Sequence, residues 1–336
     1  MDTAERTDLV TRYAEEVVAE PEIEALFETR ESPTAYIGYA PTGEMHIGHF
    51  TTIRKLADFI EAGLDVTVLV ADLHAHLDDV KSPFELLDAR SAYYRAAIEA
   101  MIEAAGSDPE AVSFVRGTDY QLEEPYTLDL YRMLAETTLS RAQRAGSEVV
   151  RGSENPKLGG LVYTLMQSLD VAALEADIAY GGIDQRGIYM LAREQLPEQG
   201  YDKPACVFAP LLSGLSGGKM SASETGSKIN LTDDDDAVAE KIEGAYCPAG
   251  ELEGNGVLEY LRFLVFPVLA ERGETFVVER PEEYEALEEE FVSGELHPAD
   301  LKPAAAAAIS EVIDPVRERL LEAPELLEDA YPEKYA

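Results

Sequence analysis

Apolar residues recur at helical spacing from residue 3 to 30, where Leu9, Val10, Tyr13, Val17 and Val18 stand among charges; the pattern predicts helix throughout. From Thr34 to Ala40 the chain reads as a strand, broken by Pro41-Thr42-Gly43. A helix follows from about His46 to Ala62, with Gly63 placed to cap its end. Val66 to Ala71 is continuously apolar, as a strand covered on both faces must be. Helical spacing fills 83–105 and closes at Gly106. A short strand at Val112–Val115, helices over 126–145 and 158–175, and a strand at Ala176–Tyr180 follow, the last ending in Gly181-Gly182. Strands alternating with helices imply an α/β fold with a doubly wound, Rossmann-like parallel sheet. Beyond about residue 230 the pattern is only helical: 234–245, 255–266, 281–293 and 298–322. The expected organisation is a Rossmann-like domain over 1–230 and an all-helical domain over 231–336. The run Asp233-Asp234-Asp235-Asp236 reads as favourable charge at a helix N-terminus. It is no metal site, because consecutive residues point different ways round a helix.

Composition then narrows the class. With 336 residues, 46% of them hydrophobic, the chain is globular and long enough for two domains. No run approaches the roughly 18 apolar residues of a membrane span. The start, Met1-Asp2-Thr3-Ala4-Glu5, lacks the basic and apolar stretches of a signal peptide, so a cytoplasmic location is expected. Cys206 and Cys247 suit neither a disulfide framework nor a zinc pair. The net charge is −39, with 27 Lys and Arg against 66 Asp and Glu, and only nine of the bases are lysine. Acids dispersed this densely suit a cytosol of molar salt, which screens self-repulsion. Nucleic acid is then a partner only through a local patch. One such island lies between Leu139 and Gly160, where Arg141, Arg144, Arg151 and Lys157 outnumber Glu148 and Glu154.

Two short words carry the chemistry: His46-Ile47-Gly48-His49, and Lys219-Met220-Ser221-Ala222-Ser223. Attack of a carboxylate on the α-phosphorus of ATP builds negative charge on phosphate oxygens, which needs positioned donors and a cation. Two imidazoles one turn apart at a helix start supply donors, and the helix end adds a field that favours phosphate. Gly38, at a strand end, lets a nucleotide lie against backbone. Lys219 sits on a serine-rich loop that Gly214, Gly217 and Gly218 free to close. Tyr163, Gln167 and Asp170 fall at i, i+4 and i+7, one polar stripe on a helix, while Leu165, Met166 and Leu169 face elsewhere. His74, just after a buried strand, either lines a pocket floor or is a structural histidine.

With these residues in view, the chain resembles the class I aminoacyl-tRNA synthetases, and more closely the tyrosyl-tRNA synthetases of archaeal and eukaryotic type. The resemblance covers nearly the whole chain. It rests on Tyr36–His49, Ala71–Ala75, Tyr163–Asp170, Gly181–Gln185, Lys219–Ser223 and Glu295–Lys302, in the family's order. It implies a ligase that forms tyrosyl-adenylate from L-tyrosine and ATP, with Mg²⁺ accompanying the ATP, and passes the tyrosyl group to the 3′ end of tRNA(Tyr). It implies no tightly bound cofactor, no membrane partner, and a homodimer. By resemblance, His46, His49 and Lys219 stabilise the ATP phosphates. Ser221, Ser223 and the backbone of Ala222 support them, Gly38 and Gly48 line the nucleotide, and Asp184 meets the ribose. Tyr36 and Asp170 hold the substrate phenol; Tyr163, Gln167 and Gln185 hold its amino group. A region of about 116–160 meets the acceptor end of tRNA through Arg141 and Arg144. His297 and Asp300 read the anticodon, Asp300 as an acceptor toward guanine. Ala222 departs from the family, which carries lysine or serine there. Three rivals stand beside this reading: the tryptophanyl enzyme, a small nucleotidylyltransferase, and an RNA-binding paralogue without catalysis. The pairing of Tyr36 with Asp170 favours a phenol over an indole.

Overall fold

Among the described residues, six strands form one sheet in the order β1-β6-β5-β2-β3-β4. They are β1 (Glu16–Val18), β2 (Thr34–Tyr39), β3 (Asp65–Val70), β4 (Val112–Arg116), β5 (Ile178–Gly182) and β6 (Ala205–Ala209). The computed structural model describes residues 1–149, 157–218, 226–276 and 283–335. Pairs β2–β3, β3–β4, β2–β5 and β5–β6 are parallel, and only the edge strand β1 runs antiparallel, on β6. Side chains alternate across the pleat of β2: Ile37 joins one core and Tyr36 the other. Both faces are therefore covered. β6, Ala205-Cys206-Val207-Phe208-Ala209, is buried at every position, which explains its lack of any alternation.

One face packs on helix Ile47–Glu61 through Phe50, Ile53 and Phe59, all fully buried. Burying such side chains stabilises the fold by about 1.5–3 kcal/mol each. The same core continues into helix Leu87–Ala104 and on to Pro298–Leu321, whose Ile309, Val312 and Ile313 are fully buried. The other face packs on Leu158–Ala173 and Arg186–Gln195. Among the described residues, every element after Asn230 is helical.

Several expectations need revision. Residues 3–30 are two helices, Thr3–Thr11 and Glu20–Thr29, with β1 between them. The backbone turns at Tyr13 (φ 61°) and Ala19 (φ 64°), neither of which is the glycine such a turn favours, so the break left no sequence signal. The expected helix over 126–145 is split into Glu124–Glu136 and Leu139–Ala145, because Thr138 caps the second. The helix expected over 255–266 runs on to Arg272 through a π turn at Leu261–Val265, next to Pro267, which lacks an N–H for the ladder. β6 and helix Arg186–Gln195 are additional elements.

Candidate active site

In the sheet order, β2 has β5 on one side and β3 on the other, so the crossovers diverge there. Ligands of doubly wound sheets bind beyond the carboxyl ends at that switch point. A cleft opens at this place, with about 1300 Å³ of empty space, its open mouth included. Gly38 and Tyr39 from β2, and Ala40 just after it, line it. So do His46, Gly48 and His49 from the next helix start, Tyr163 and Gln167, Gly181 and Gly182 at the end of β5, and Asp184 and Gln185 after it. A Cβ added at Gly38 would meet no described atom closer than 3.7 Å, so the surrounding protein does not demand glycine there.

The two imidazoles are locked reciprocally. Gly48 N–H donates to His46 Nδ1 at 3.2 Å, and His46 N–H donates to His49 Nδ1 at 3.1 Å. Each Nδ1 is an acceptor, so each ring carries its proton on Nε2. Burial pushes the His49 imidazole down to about 4, aided by the charge of Lys228. Burial, His49 and Lys228 push His46 well below its ordinary value. Both rings are therefore neutral N–H donors at neutral pH and not cations. The rings stand 4.2 Å apart. Their helix start is pinned from outside: Ile47 N–H donates to the Ile229 carbonyl at 3.0 Å, and His46 bridges Asn230.

Deeper, Asp170 is fully buried, and one of its oxygens is crowded. Oδ1 accepts from Tyr120 Oη, Gln121 Nε2 and Tyr126 Oη, each at 2.8 Å. Oδ2 lies 3.4 Å from His74 Nε2 and has no hydrogen-bond partner among the described residues. Burial raises the Asp170 carboxyl above its usual range, opposed by His74 and the three donors. Burial also lowers His74, more than Asp170 and Asp72 raise it, so it stays neutral. Tyr36 Oη is likewise buried and without a partner. Tyr189 stands edge-on to Tyr36 at 6.2 Å, with its own hydroxyl donating to the Tyr180 carbonyl. Toward the cleft, Gln167 Nε2 donates to Gln185 Oε1 (2.9 Å), and Gln185 Nε2 to Asp184 Oδ1 (3.2 Å). Gln167 Oε1 is left buried and unpartnered. Leu165, Met166 and Leu169 are buried like the polar stripe, so this helix is covered all round.

Other sequence-identified residues lie elsewhere. Lys219, Ser221, Ala222 and Ser223 fall outside the described residues, as do Arg151 and Glu154. The basic island is less free than its sequence suggests: Arg141 pairs with Glu194, and Lys157 with Asp79 at 2.6 Å. Arg144 is exposed, with no ion pair among the described residues. His297 caps helix Pro298–Leu321, its Nδ1 accepting from Ala299 N–H at 3.1 Å, and Asp300 is exposed beside it. Sequence reasoning missed Tyr120, Gln121 and Tyr126, which orient Asp170, and Tyr189. No motif or spacing ties them to the stripe, because they come from separate helices that only the fold brings together.

This combination of sheet and crevice is that of the class I aminoacyl-tRNA synthetases. The family model for tRNA synthetases class I (W and Y) matches residues 28–314. Within that class, the chain belongs to the tyrosyl-tRNA synthetase family. It is 78% identical to the tyrosine–tRNA ligase of Natronomonas pharaonis over the whole of both chains. It is 72% identical to that of Haloarcula marismortui over 100% of this chain and 99% of the relative. The tyrosyl-tRNA synthetase of Archaeoglobus fulgidus, solved with L-tyrosine, superposes with a TM-score of 0.88 at 44% identity, covering 95% of this chain and 100% of that one.

Proposed function

We propose that this chain joins L-tyrosine to the 3′ end of its cognate tRNA, using ATP. The observation that carries the amino-acid choice is the pair of buried oxygens, Tyr36 Oη and Asp170 Oδ2, that have no hydrogen-bond partner among the described residues. A phenol donates to the carboxylate and accepts from the tyrosine hydroxyl; a phenyl ring leaves both unpaired, and an indole carries its N–H elsewhere. Gln167 Oε1 accepts from the substrate amino group, with Tyr163 and Gln185 beside it. The tyrosine carboxylate attacks the α-phosphorus, the bond from that phosphorus to the bridging oxygen breaks, and pyrophosphate leaves. His46 and His49 donate from Nε2 to phosphate oxygens as charge builds, and Lys219 adds the cation. Gly38 and Gly48 admit the nucleotide, and Asp184 takes the ribose. The terminal ribose hydroxyl of tRNA then attacks the adenylate carbonyl and AMP leaves. No protein group becomes covalently attached; catalysis is positioning and charge stabilisation.

Transfer RNA is met at two places in this reading: Arg144 near the acceptor end, and His297 with Asp300 in a helical anticodon-reading domain beyond residue 230. A second copy covers the apolar surface of Leu122, Leu128, Tyr131 and Leu139, whose exposures of 47–68% are high for such side chains. No described helix is long and apolar enough to cross a membrane. The test is ATP–pyrophosphate exchange with each standard amino acid in molar KCl. Exchange with tyrosine alone is expected; preference for tryptophan overturns the assignment.

A further inference from the structure

Lys228 stands two residues before Asn230, which pairs with His46 at the cleft's helix start; it is half-buried and has no hydrogen bond or ion pair among the described residues. Its place is fixed by backbone: the next residue, Ile229, accepts from Ile47 N–H, and Asn230 bridges His46. From there its charge reaches both imidazoles and lowers both. The charged groups facing it are Glu44, Lys241, Lys334 and Asp233. Both of these carboxylates are committed to other lysines. Glu44 Oε2 accepts from Lys334 Nζ at 2.7 Å and from Tyr335 Oη at 3.0 Å. Asp233 pairs with Lys241 and also accepts from Asn230 N–H. Burial lowers the Lys228 ammonium from its ordinary value; Glu44 and Asp233 raise it, and Lys241 and Lys334 lower it. Among the described residues, this half-buried lysine makes no ion pair of its own, although Glu44 and Asp233 act on it at longer range.

We propose that Lys228 is a further catalytic residue, a cation that contacts the β- and γ-phosphates of ATP and stabilises the pyrophosphate as it leaves. The assignment rests on the ligase reading above. In that step the bond between the α-phosphorus and the bridging oxygen breaks, and its electron pair goes to that oxygen. The negative charge this adds to pyrophosphate meets an ammonium whose counter-ion is the substrate itself. The neutral imidazoles supply hydrogen bonds but no charge, so the two kinds of group are complementary and not redundant. Glu44 and Asp233 act as positioning residues: their ion pairs keep Lys334 and Lys241 occupied and leave Lys228 free.

The test uses the whole chain in molar KCl, with Lys228→Met and Lys228→Arg, two substitutions of similar length. Calorimetric binding of inorganic pyrophosphate needs no amino acid. It is expected to weaken about 10–100-fold in Lys228→Met, the range for one charge-assisted contact, and to recover in Lys228→Arg. Tyrosine-dependent exchange is expected to lose a similar factor in kcat/KM for ATP, with tyrosine affinity unchanged. Wild-type pyrophosphate binding and ATP kinetics in Lys228→Met overturn the proposal. An equal loss of tyrosine affinity, marking collapse of the cleft, also overturns it. If pyrophosphate binding depends on Lys228 while wild type shows no tyrosine-dependent exchange, the ligase reading fails and the anion contact stands.

Discussion

At the scale of single residues, several buried polar atoms in and below the cleft have no hydrogen-bond partner among the described residues, among them Tyr36 Oη, Gln167 Oε1 and Asp170 Oδ2. Asp170 gives Oδ1 to three donors and keeps Oδ2 open, which fixes the direction of the free lone pairs. His46 and His49 accept through Nδ1 from backbone and so present Nε2–H. Their neutrality has a measurable consequence. The folded His49 value, about 4, lies below the ordinary 6.5, so the fold prefers neutral imidazole. Its contribution is fully present above about pH 6.5 and is lost as pH falls toward about 4, amounting to about 3 kcal/mol at the acid end. Denaturant unfolding of wild type and His49→Asn across this window is expected to show convergence toward low pH; parallel curves contradict a depressed His49. The histidine word and the Tyr163-Gln167-Asp170 stripe were legible because each is local, with spacing that one helix dictates. Tyr120, Gln121 and Tyr126 were not, since their role depends on packing between helices distant in sequence. Lys228 was illegible for another reason: what distinguishes it is the prior commitment of Glu44 and Asp233, which no spacing encodes.

At the scale of elements, the long amphipathic helices and the apolar strand β3 followed directly from periodicity. β1 and β6 did not. β1 has three residues, and β6 is buried at every position, so neither shows alternation. The structural consequence for chemistry is the pairing of two distant segments. The strand–helix junction carrying His46 is tied by backbone to Ile229 and Asn230, on the C-terminal side of the Lys219 loop. One anchor therefore ties the two imidazoles to the segment that follows the Lys219 loop. Lys219 is expected to act on charge present mainly in the transition state. Lys219→Ala should lower the rate constant of adenylate formation about 100-fold in stopped-flow measurements, with tyrosine affinity unchanged. Loss of tyrosine affinity with an intact rate constant would give the loop a different role.

For the whole molecule, a charge of −39 opposes both the compact state and the approach of a polyanion. The family's relatives from Natronomonas and Haloarcula, at 72–78% identity, agree with a surface suited to concentrated salt. In the proposed reading Arg144 is the arginine of this island left to meet tRNA, because Arg141 and Lys157 are already paired with carboxylates while Arg144 is exposed. Salt then has two opposed effects: it screens the general repulsion and weakens a small number of Arg–phosphate contacts. Melting temperature and tRNA charging are both expected to rise with KCl into the molar range. Arg144→Ala is expected to reduce charging while leaving pyrophosphate exchange intact. Charging that falls steadily with salt while the fold stays intact contradicts this balance, and equal loss of both activities in Arg144→Ala would make that arginine structural.

The central claim is that two unpartnered buried oxygens select a phenol, and one comparison tests it most directly. The ratio of kcat/KM for tyrosine over phenylalanine is measured by pyrophosphate exchange in molar KCl, for wild type and for Tyr36→Phe. Wild type is expected to discriminate by about 10⁴–10⁵, as sites that hydrogen-bond a substrate hydroxyl do. Tyr36→Phe removes a hydroxyl that has no close hydrogen-bond partner among the described residues, with Tyr189 as its nearest interacting hydroxyl, so its unfolding free energy should change little, while discrimination falls by about tenfold or more. A wild type that activates phenylalanine comparably, or a Tyr36→Phe variant that keeps full discrimination, would contradict the account.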